Sequence, residues 1–168
     1  MKLLTQSQAK ELDKLSIEKF KIKGTQLMET AGKSISEFLI GHVHNIDKPT
    51  IAIICGKGNN SGDGFAAAKF LHSNKYNPQI FCICSLNELS HDSQYFADQC
   101  IDMGISIQFS CINLIDNLKY DFIIDGLLGT GVTGPVKETL WSWIDKMNKS
   151  KGKVISIDIP SGLHADIG

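Results

Sequence analysis

The sequence predicts an α/β protein, a three-layer αβα sandwich built around a mostly parallel sheet. Short apolar runs typical of buried strands alternate with amphipathic segments of helical period, after two helices that open the chain. The apolar runs are continuous rather than alternating, as in strands that helices cover on both faces. Right-handed crossovers between such strands lead to a doubly wound sheet.

The first two segments are predicted helices that precede the sheet. Residues 5–21 begin with Thr5 and Gln8 at the spacing of a capping box. Gly24 breaks this segment, and a second helix is expected over residues 25–43, where apolar side chains recur every three or four positions.

The rest of the chain is predicted to alternate between strand and helix. The expected strands cover residues 50–55, 79–84, 105–109, 120–124 and 153–157. The expected helices cover residues 65–71, 90–103 and 136–148, with Gly104 and Pro135 as boundary signals. A chain of 168 residues, 42% of them hydrophobic, can bury one core, so we expect a single domain over 1–168.

Composition argues against several classes of protein. The net charge of −1 gives no general attraction to nucleic acid. No apolar run reaches the ~20 residues of a membrane helix, and the chain turns polar at Thr5, too early for a signal-peptide core. The five cysteines are odd in number and form no C-x-x-C motif. We therefore expect a cytoplasmic protein with free, buried thiols that binds neither nucleic acid nor membrane.

Polar residues follow three of the predicted strands. A loop at residues 56–64 follows the first strand, Asp125 and a glycine-rich stretch at 129–135 follow the fourth, and Asp158 and Ser161 follow the fifth. Parallel strands bring these loops to one edge of the sheet, where α/β proteins bind ligands. Each loop alone is as often a plain turn or a helix cap, but three together favour a site. A glycine-rich loop that opens a helix suits a phosphate.

The common nucleotide motifs are not met in the first loop. It lacks the G-K-[ST] ending of a P-loop, since Phe65 follows Gly64. Ser61 stands where the dinucleotide fingerprint needs its third glycine, and no acidic residue ends the second strand. The chain also lacks the G-x-S-x-G elbow of an α/β-hydrolase. These observations disfavour an ordinary dehydrogenase, a P-loop kinase and a hydrolase.

Four stretches of the chain resemble the NAD(P)HX epimerase family, whose domain is also called YjeF N-terminal. They are GTQLMETAGKSISEFL, GKGNNSGDGFAAAKFL, DGLLGTGVTGPV and IDIPSGLHADIG, and they run in order from about residue 27 to residue 168. The resemblance implies a Rossmann-like αβα fold and an isomerase that converts the R form of NADHX and NADPHX to the S form. These substrates are NAD and NADP cofactors hydrated at nicotinamide C6. A separate ATP- or ADP-dependent dehydratase repairs the S form, so the implied role is metabolite repair.

The resemblance also implies a nucleotide-binding and metal-binding site. The implied substrate contacts are Asn59, Asn60, Ser61, Gly62, Asp63, Gly129, Thr130, Gly131, Val132, Thr133, Gly134, Pro135 and Asp158. The implied potassium (K⁺) ligands are Asn60, Asp125 and Ser161.

The residue types suit these roles. Amide, carboxylate and hydroxyl oxygens serve a hard cation such as potassium, and the N–H groups of residues 129–135 suit a diphosphate. Epimerisation of a hemiaminal carbon needs an acid and base, and Asp158 is our predicted catalytic residue. Its alternative role is to cap the turn at 160–162. We expect Asp63 to cap the helix or bind ribose.

The chain departs from the family pattern at a few positions. Ser61 stands where many members have glycine, and Thr133 stands where relatives often have Lys or Arg. Lys57 and Lys137 are the candidate cations that could replace the basic group. The alternative function is a non-catalytic module that binds a nucleotide or ADP-ribose.

The family domain usually continues past the last motif with further strands. Residues 1–168 are therefore expected to lack its C-terminal strands, as a natural short form or as part of a longer, bifunctional chain. A sheet edge left exposed in this way favours a homodimer.

Overall fold

The computed structural model describes residues 4–43, 46–111, 119–131 and 134–167. Its centre is a five-stranded sheet in the order β3-β2-β1-β4-β5, and every pairing is parallel. The strands are β1 (Ile51–Cys55), β2 (Gln79–Cys82), β3 (Ser106–Gln108), β4 (Phe122–Gly126) and β5 (Lys153–Ser156). The prediction of an α/β fold with a parallel sheet is confirmed.

Helices cover both faces of this sheet. They are α1 (Gln6–Glu18), α2 (Gly24–Ile40), α3 (Asn59–Ser73), α4 (His91–Asp102) and α5 (Glu138–Lys149), with a short 3₁₀ turn at Leu86–Glu88. One apolar cluster joins α2, α3 and α4 to one face of the sheet, and a second joins α5 to the other face. The αβα layers are therefore as predicted.

The central strand β1 is buried on both faces. Its side chains alternate between the two clusters, with Ile53 in the first and Ile54 in the second, and both are fully buried. This explains why β1 has a continuous apolar sequence. Cys55, Cys82 and Cys84 are buried and free, as predicted from their apolar surroundings in the sequence, and so are Cys100 and Cys111. In the parts of the chain that the structure describes, no helix has the length and apolarity needed to cross a bilayer.

The predicted helix boundaries hold where capping chemistry defines them. Thr5 and Gln8 form the capping box at the start of α1. Ser90 caps α4 through the N–H of Ser93, and Gly104 follows the helix with a φ of +72°. Gly24 was expected to break a helix, but it opens α2 instead.

The loop predicted at residues 56–64 is mostly helical. Only residues 56–58 connect the strand to the helix, because α3 begins at Asn59. None of the glycines in this stretch has a positive φ. A Cβ atom on Gly62 would lie 2.5 Å from Cε of Met28 and 2.9 Å from Oγ of Ser93. Glycine is needed here for close packing of α3 against α2 and α4, and that packing overrides the weak helix propensity of Gly, Asn, Ser and Asp.

Candidate functional site

The carboxyl ends of β1, β4 and β5 open into one groove with a volume of about 1480 Å³. The loops after these strands form one wall, and the start of α5 extends it. Helices α1 and α2 also line the groove, through side chains such as Ile17 and Leu27. The three polar strand ends predicted from the sequence therefore do meet in space, at the edge expected for a parallel sheet.

The loops are joined through one peptide group, that of Leu128. Asn60 Nδ2 donates to the Leu128 carbonyl at 2.9 Å, and the Leu128 N–H donates to Ser161 Oγ at 2.9 Å. The Ser161 hydroxyl in turn donates to Asp125 Oδ1 at 2.6 Å. The three residues predicted as potassium ligands therefore come from three different segments and converge around this peptide.

Asp125 is the buried anchor of this network, with a relative exposure of 3%. Its Oδ1 accepts from Ser161 Oγ and from the Leu127 N–H at 3.2 Å. Its Oδ2 accepts from the Ser161 N–H at 2.9 Å and from Ser156 Oγ at 3.3 Å. Each carboxylate oxygen therefore serves one backbone N–H and one hydroxyl, which compensates for the burial of the charge.

Asp158 is exposed at the groove and adopts a left-handed backbone with a φ of +63°. This conformation is unfavourable for a residue with a Cβ atom and is found where surrounding contacts enforce it, often at functional sites. Its Oδ2 accepts from the Thr130 N–H at 2.8 Å. Gly129 lies between this carboxylate and Asn60, because a Cβ on Gly129 would be 3.2 Å from Asp158 Oδ2 and from Asn60 Cγ.

Asp63 lies on α3 one turn after Asn60 and also lines the groove. It is only partly exposed, and its side chain makes no hydrogen bond to the described residues. Burial raises the pKa of this carboxyl to about 7, and the carboxylates of Asp158 and Asp13 add to the effect. The predicted capping role for Asp63 is wrong, since Gly58 is the N-cap residue of α3.

Ser61 and Gly62 lie behind the groove rather than on its surface. Ser61 is fully buried, and its hydroxyl donates to the carbonyl of Gly56 at 2.6 Å. Gly62 is buried against Met28. Neither residue is among those that line the groove. Their predicted substrate contacts stay a prediction. The φ of Ser61 is not positive, so serine is accommodated here without backbone strain.

Two helix N-termini face the groove without a side-chain cap. The N-cap residues are Gly58 for α3 and Lys137 for α5, and neither makes a side-chain hydrogen bond to its own helix. Both residues line the groove. Their first-turn N–H groups and helix dipoles therefore favour an anion between them.

The remaining predicted site residues are placed as follows. Asn59 Oδ1 accepts from Ser90 Oγ at 2.9 Å at the rim of the groove. Gly129, Thr130, Gly131 and Pro135 line the groove, and Gly134 has a φ of +83°. Val132 and Thr133 lie outside the described residues.

Lys57 also lines the groove, but its ammonium is engaged by a carboxylate. It forms a close ion pair with Glu88, which lowers the pKa of Glu88 to about 2. Lys57 is therefore partly neutralised, whereas Lys137 forms no ion pair with the described residues.

Sequence reasoning missed the contribution of α1. Its Ala9, Lys10, Asp13 and Ile17 line the groove, although no residue of this helix is buried. An apolar stripe on a helix predicts packing but does not identify the partner surface.

The family model described as "YjeF-related protein N-terminus" matches residues 24–168, which is most of the chain. The chain belongs to this family. The resemblance proposed from the sequence motifs is thereby confirmed.

Relatives in this family are similar over the full length of the chain. An NAD(P)H-hydrate epimerase of Lentilactobacillus buchneri is 34% identical, over 98% of this chain and 75% of its own. One of Aedes aegypti is 32% identical, over 100% of this chain and 73% of its own. A bifunctional NAD(P)H-hydrate repair enzyme, Nnr, of Thermofilum pendens is also 32% identical, but the match covers only 33% of its length.

The fold is also found in a solved structure. The crystal structure of yeast ynu0, YNL200c, superposes with a TM-score of 0.88 at 22% sequence identity, over all of this chain and 74% of that one. At this level of identity the likeness establishes the fold alone. Together the matches show that this chain spans about three quarters of its single-function relatives and a third of the bifunctional one.

Proposed function

We propose that this chain epimerises NADHX and NADPHX, converting the R form to the S form. The observation that carries the proposal is the convergence of three strand-end segments on one groove, where Asp158 is held by the Thr130 N–H at 2.8 Å. Relatives named NAD(P)H-hydrate epimerase, which are 32–34% identical over nearly the whole chain, support the same reaction.

The helix N-termini at the groove suit the diphosphate of a dinucleotide. The uncapped N-termini of α3 and α5 offer N–H donors and positive dipole ends on two sides of it. We place the diphosphate between residues 56–64 and 129–135. Lys137, at the start of α5, adds a positive charge at the rim.

Asp158 is our proposed acid–base residue in this site. Its carboxylate is exposed to the groove, and the Thr130 N–H fixes one of its oxygens. The other oxygen is free to accept the proton of the C6 hydroxyl of the substrate.

We also propose a potassium ion held by Asn60, Asp125 and Ser161. The residue types fit, since Asn60, Asp125 and Ser161 meet around the Leu128 peptide and carry an amide, a carboxylate and a hydroxyl oxygen. Asn60 contacts the Leu128 carbonyl through Nδ2, which leaves its Oδ1 as the proposed ligand atom. A bound ion would supply positive charge beside the diphosphate and hold the three segments together. The test is thermal unfolding in KCl against NaCl at equal ionic strength. Potassium should raise the Tm of the wild type and not that of Ser161→Ala, and equal curves in both salts would count against the site.

The function is tested by following (R)-NADHX in the presence of the purified protein. We expect conversion to the S form, and we expect Asp158→Ala to reduce kcat by about 100-fold or more. An Asp158→Ala variant with the wild-type rate would remove Asp158 from the mechanism. Binding of NADP⁺ without any turnover by the wild type would instead support the alternative, a non-catalytic nucleotide-binding module.

Three further parts of the proposal concern partners and location. We propose an NAD(P)HX dehydratase as the functional partner, because relatives named bifunctional NAD(P)H-hydrate repair enzyme carry this domain within a longer chain.

We propose a homodimer, supported by the edge strand β5, where Val154 is exposed beside Phe38. We propose a cytoplasmic location, in keeping with five free thiols. Sedimentation and cell fractionation test the last two.

A further inference from the structure

We propose that Asp63 is a second catalytic residue, the acid that protonates the ring nitrogen of the substrate while Asp158 accepts the hydroxyl proton. This inference rests on the proposed epimerase function. It assigns chemistry to a side chain that neither caps α3 nor bonds to any described residue.

The position of Asp63 places it beside the other groups of the site. It follows Asn60 by three residues on α3, so the two side chains lie on the same face of the helix. Asn60 contacts the Leu128 carbonyl, and Gly129 separates Asn60 from the Asp158 carboxylate. A substrate bound along this wall would therefore meet Asp63 and Asp158 in the same part of the groove.

The surroundings of Asp63 raise its pKa to about 7, so that the neutral and charged forms are both populated near neutral pH. It is only partly exposed, and the two groups that act on its charge most strongly are the carboxylates of Asp158 and Asp13. α2 contributes only uncharged side chains to the described groove wall. The other charged groups of the described groove are Lys10 on α1, Lys57 paired with Glu88, Asp92 on α4 and Lys137 at α5. A carboxyl that keeps its proton next to one that is ionised is a suitable acid–base pair.

The chemistry balances with these two groups alone. Asp158 takes the proton of the C6 hydroxyl, the C6–N1 bond breaks, and its electron pair goes to N1 as C6 becomes an aldehyde. Asp63 donates its proton to N1, which leaves an open-chain enamine. Rotation about the C5–C6 bond presents the other face of the aldehyde. The reverse proton transfers then close the ring with inverted configuration and restore both carboxyl groups.

The inference predicts a specific kinetic pattern for Asp63→Asn. We expect kcat for (R)-NADHX to fall by about 100-fold, with KM changed by less than about threefold, because the variant loses an acid and keeps its shape. In the wild type, kcat should decline above about pH 7, where Asp63 loses its proton. The residual activity of Asp63→Asn should lack this decline, and Asp63→Glu should recover much of the rate.

Matched controls separate the inference from the proposed function. Asp102→Asn, an exposed change at the end of α4, should leave kcat and its pH profile unaltered. Asp13→Asn should shift the decline in kcat to lower pH, because Asp13 raises the pKa of Asp63. If the wild type is active and Asp63→Asn keeps its kcat, or changes only KM, the role of Asp63 is refuted and the epimerase function stands. A wild type without turnover would overturn both.

Discussion

Replacing Asp125 by asparagine is the sharpest test of how the site is built. The change keeps the size of the side chain and removes its charge. It replaces one of two buried acceptor oxygens by an NH₂ donor. Each oxygen of Asp125 receives one backbone N–H and one serine hydroxyl. A hydroxyl can turn and accept from the new NH₂ group, but a backbone N–H cannot.

The expected cost of Asp125→Asn follows from these contacts. Whichever way the amide is oriented, one buried backbone N–H loses its acceptor, which costs about 1–3 kcal/mol. The remaining hydrogen bonds lose the benefit of a charged acceptor, which adds about 1 kcal/mol. We therefore expect a loss of about 3 kcal/mol in the free energy of unfolding. For a domain of this size, that corresponds to a fall in Tm of about 6–12 °C.

Thermal and urea unfolding followed by circular dichroism would measure this loss. The matched control is Asp121→Asn, since Asp121 is exposed and accepts from the N–H and hydroxyl of Thr50 at 2.8 and 2.7 Å. The control should lose about 1 kcal/mol or less, because water can satisfy its donors. If Asp125→Asn unfolds within about 1 °C of the wild type, the network around Leu128 does not stabilise the fold and our reasoning is refuted.

Three further substitutions test other parts of the structure. Asp63→Asn should stabilise the protein above pH 7. The pKa of Asp63 is raised to about 7 in the folded protein, so its ionisation opposes folding. The stability that the protonated group allows is complete below about pH 4 and is lost as the pH rises through 7. The gain in the free energy of unfolding is at most about 4 kcal/mol. Urea unfolding should show it at pH 8 and not at pH 4. An equal difference between variant and wild type at both pH values would contradict the raised pKa of Asp63. Gly32→Ala should lower the free energy of unfolding by about 3 kcal/mol, because its Cβ would lie 2.6 Å from the backbone nitrogen of Ala67. The control is Gly131→Ala, whose Cβ would have open space around it. Gly129→Ala should lower kcat by about tenfold through displacement of the Asp158 carboxylate, with a change in Tm of only a few degrees, and a full rate would show that this spacing is unimportant.

The layout of the fold was predictable because its signals are local. Continuous apolar runs mark strands such as β1 and β4, which helices cover on both faces. The capping box at Thr5 and the glycine at residue 104 mark helix ends through hydrogen bonds that form within a few residues. The topology rules for parallel strands then place three loops at one edge, and the family motifs identify the same loops.

The details that were missed depend on contacts between distant segments. The start of α3 at Asn59 could not be recognised from Gly, Asn and Ser, because the packing of Gly62 against Met28 stabilises that helical turn. The burial of Ser61 has the same origin. The pKa of Asp63 is raised first by burial and then by the carboxylate of Asp158, which is 95 positions away in the chain. A pattern of neighbouring residues cannot predict that two carboxylates so far apart in the sequence lie close together in the fold.

The position of α1 determines how a ligand can enter and leave. This helix lines one side of the groove, yet no residue of it is buried. Its first N–H group, that of Gln6, donates a hydrogen bond to the Asp166 carboxylate at 2.8 Å. It is consequently the wall that costs least to displace. Outward displacement of α1 would open the groove without disturbing the sheet or the three strand-end loops. In the function we propose, α1 would control access to the groove, while the reacting groups lie on the strand-end loops and α3.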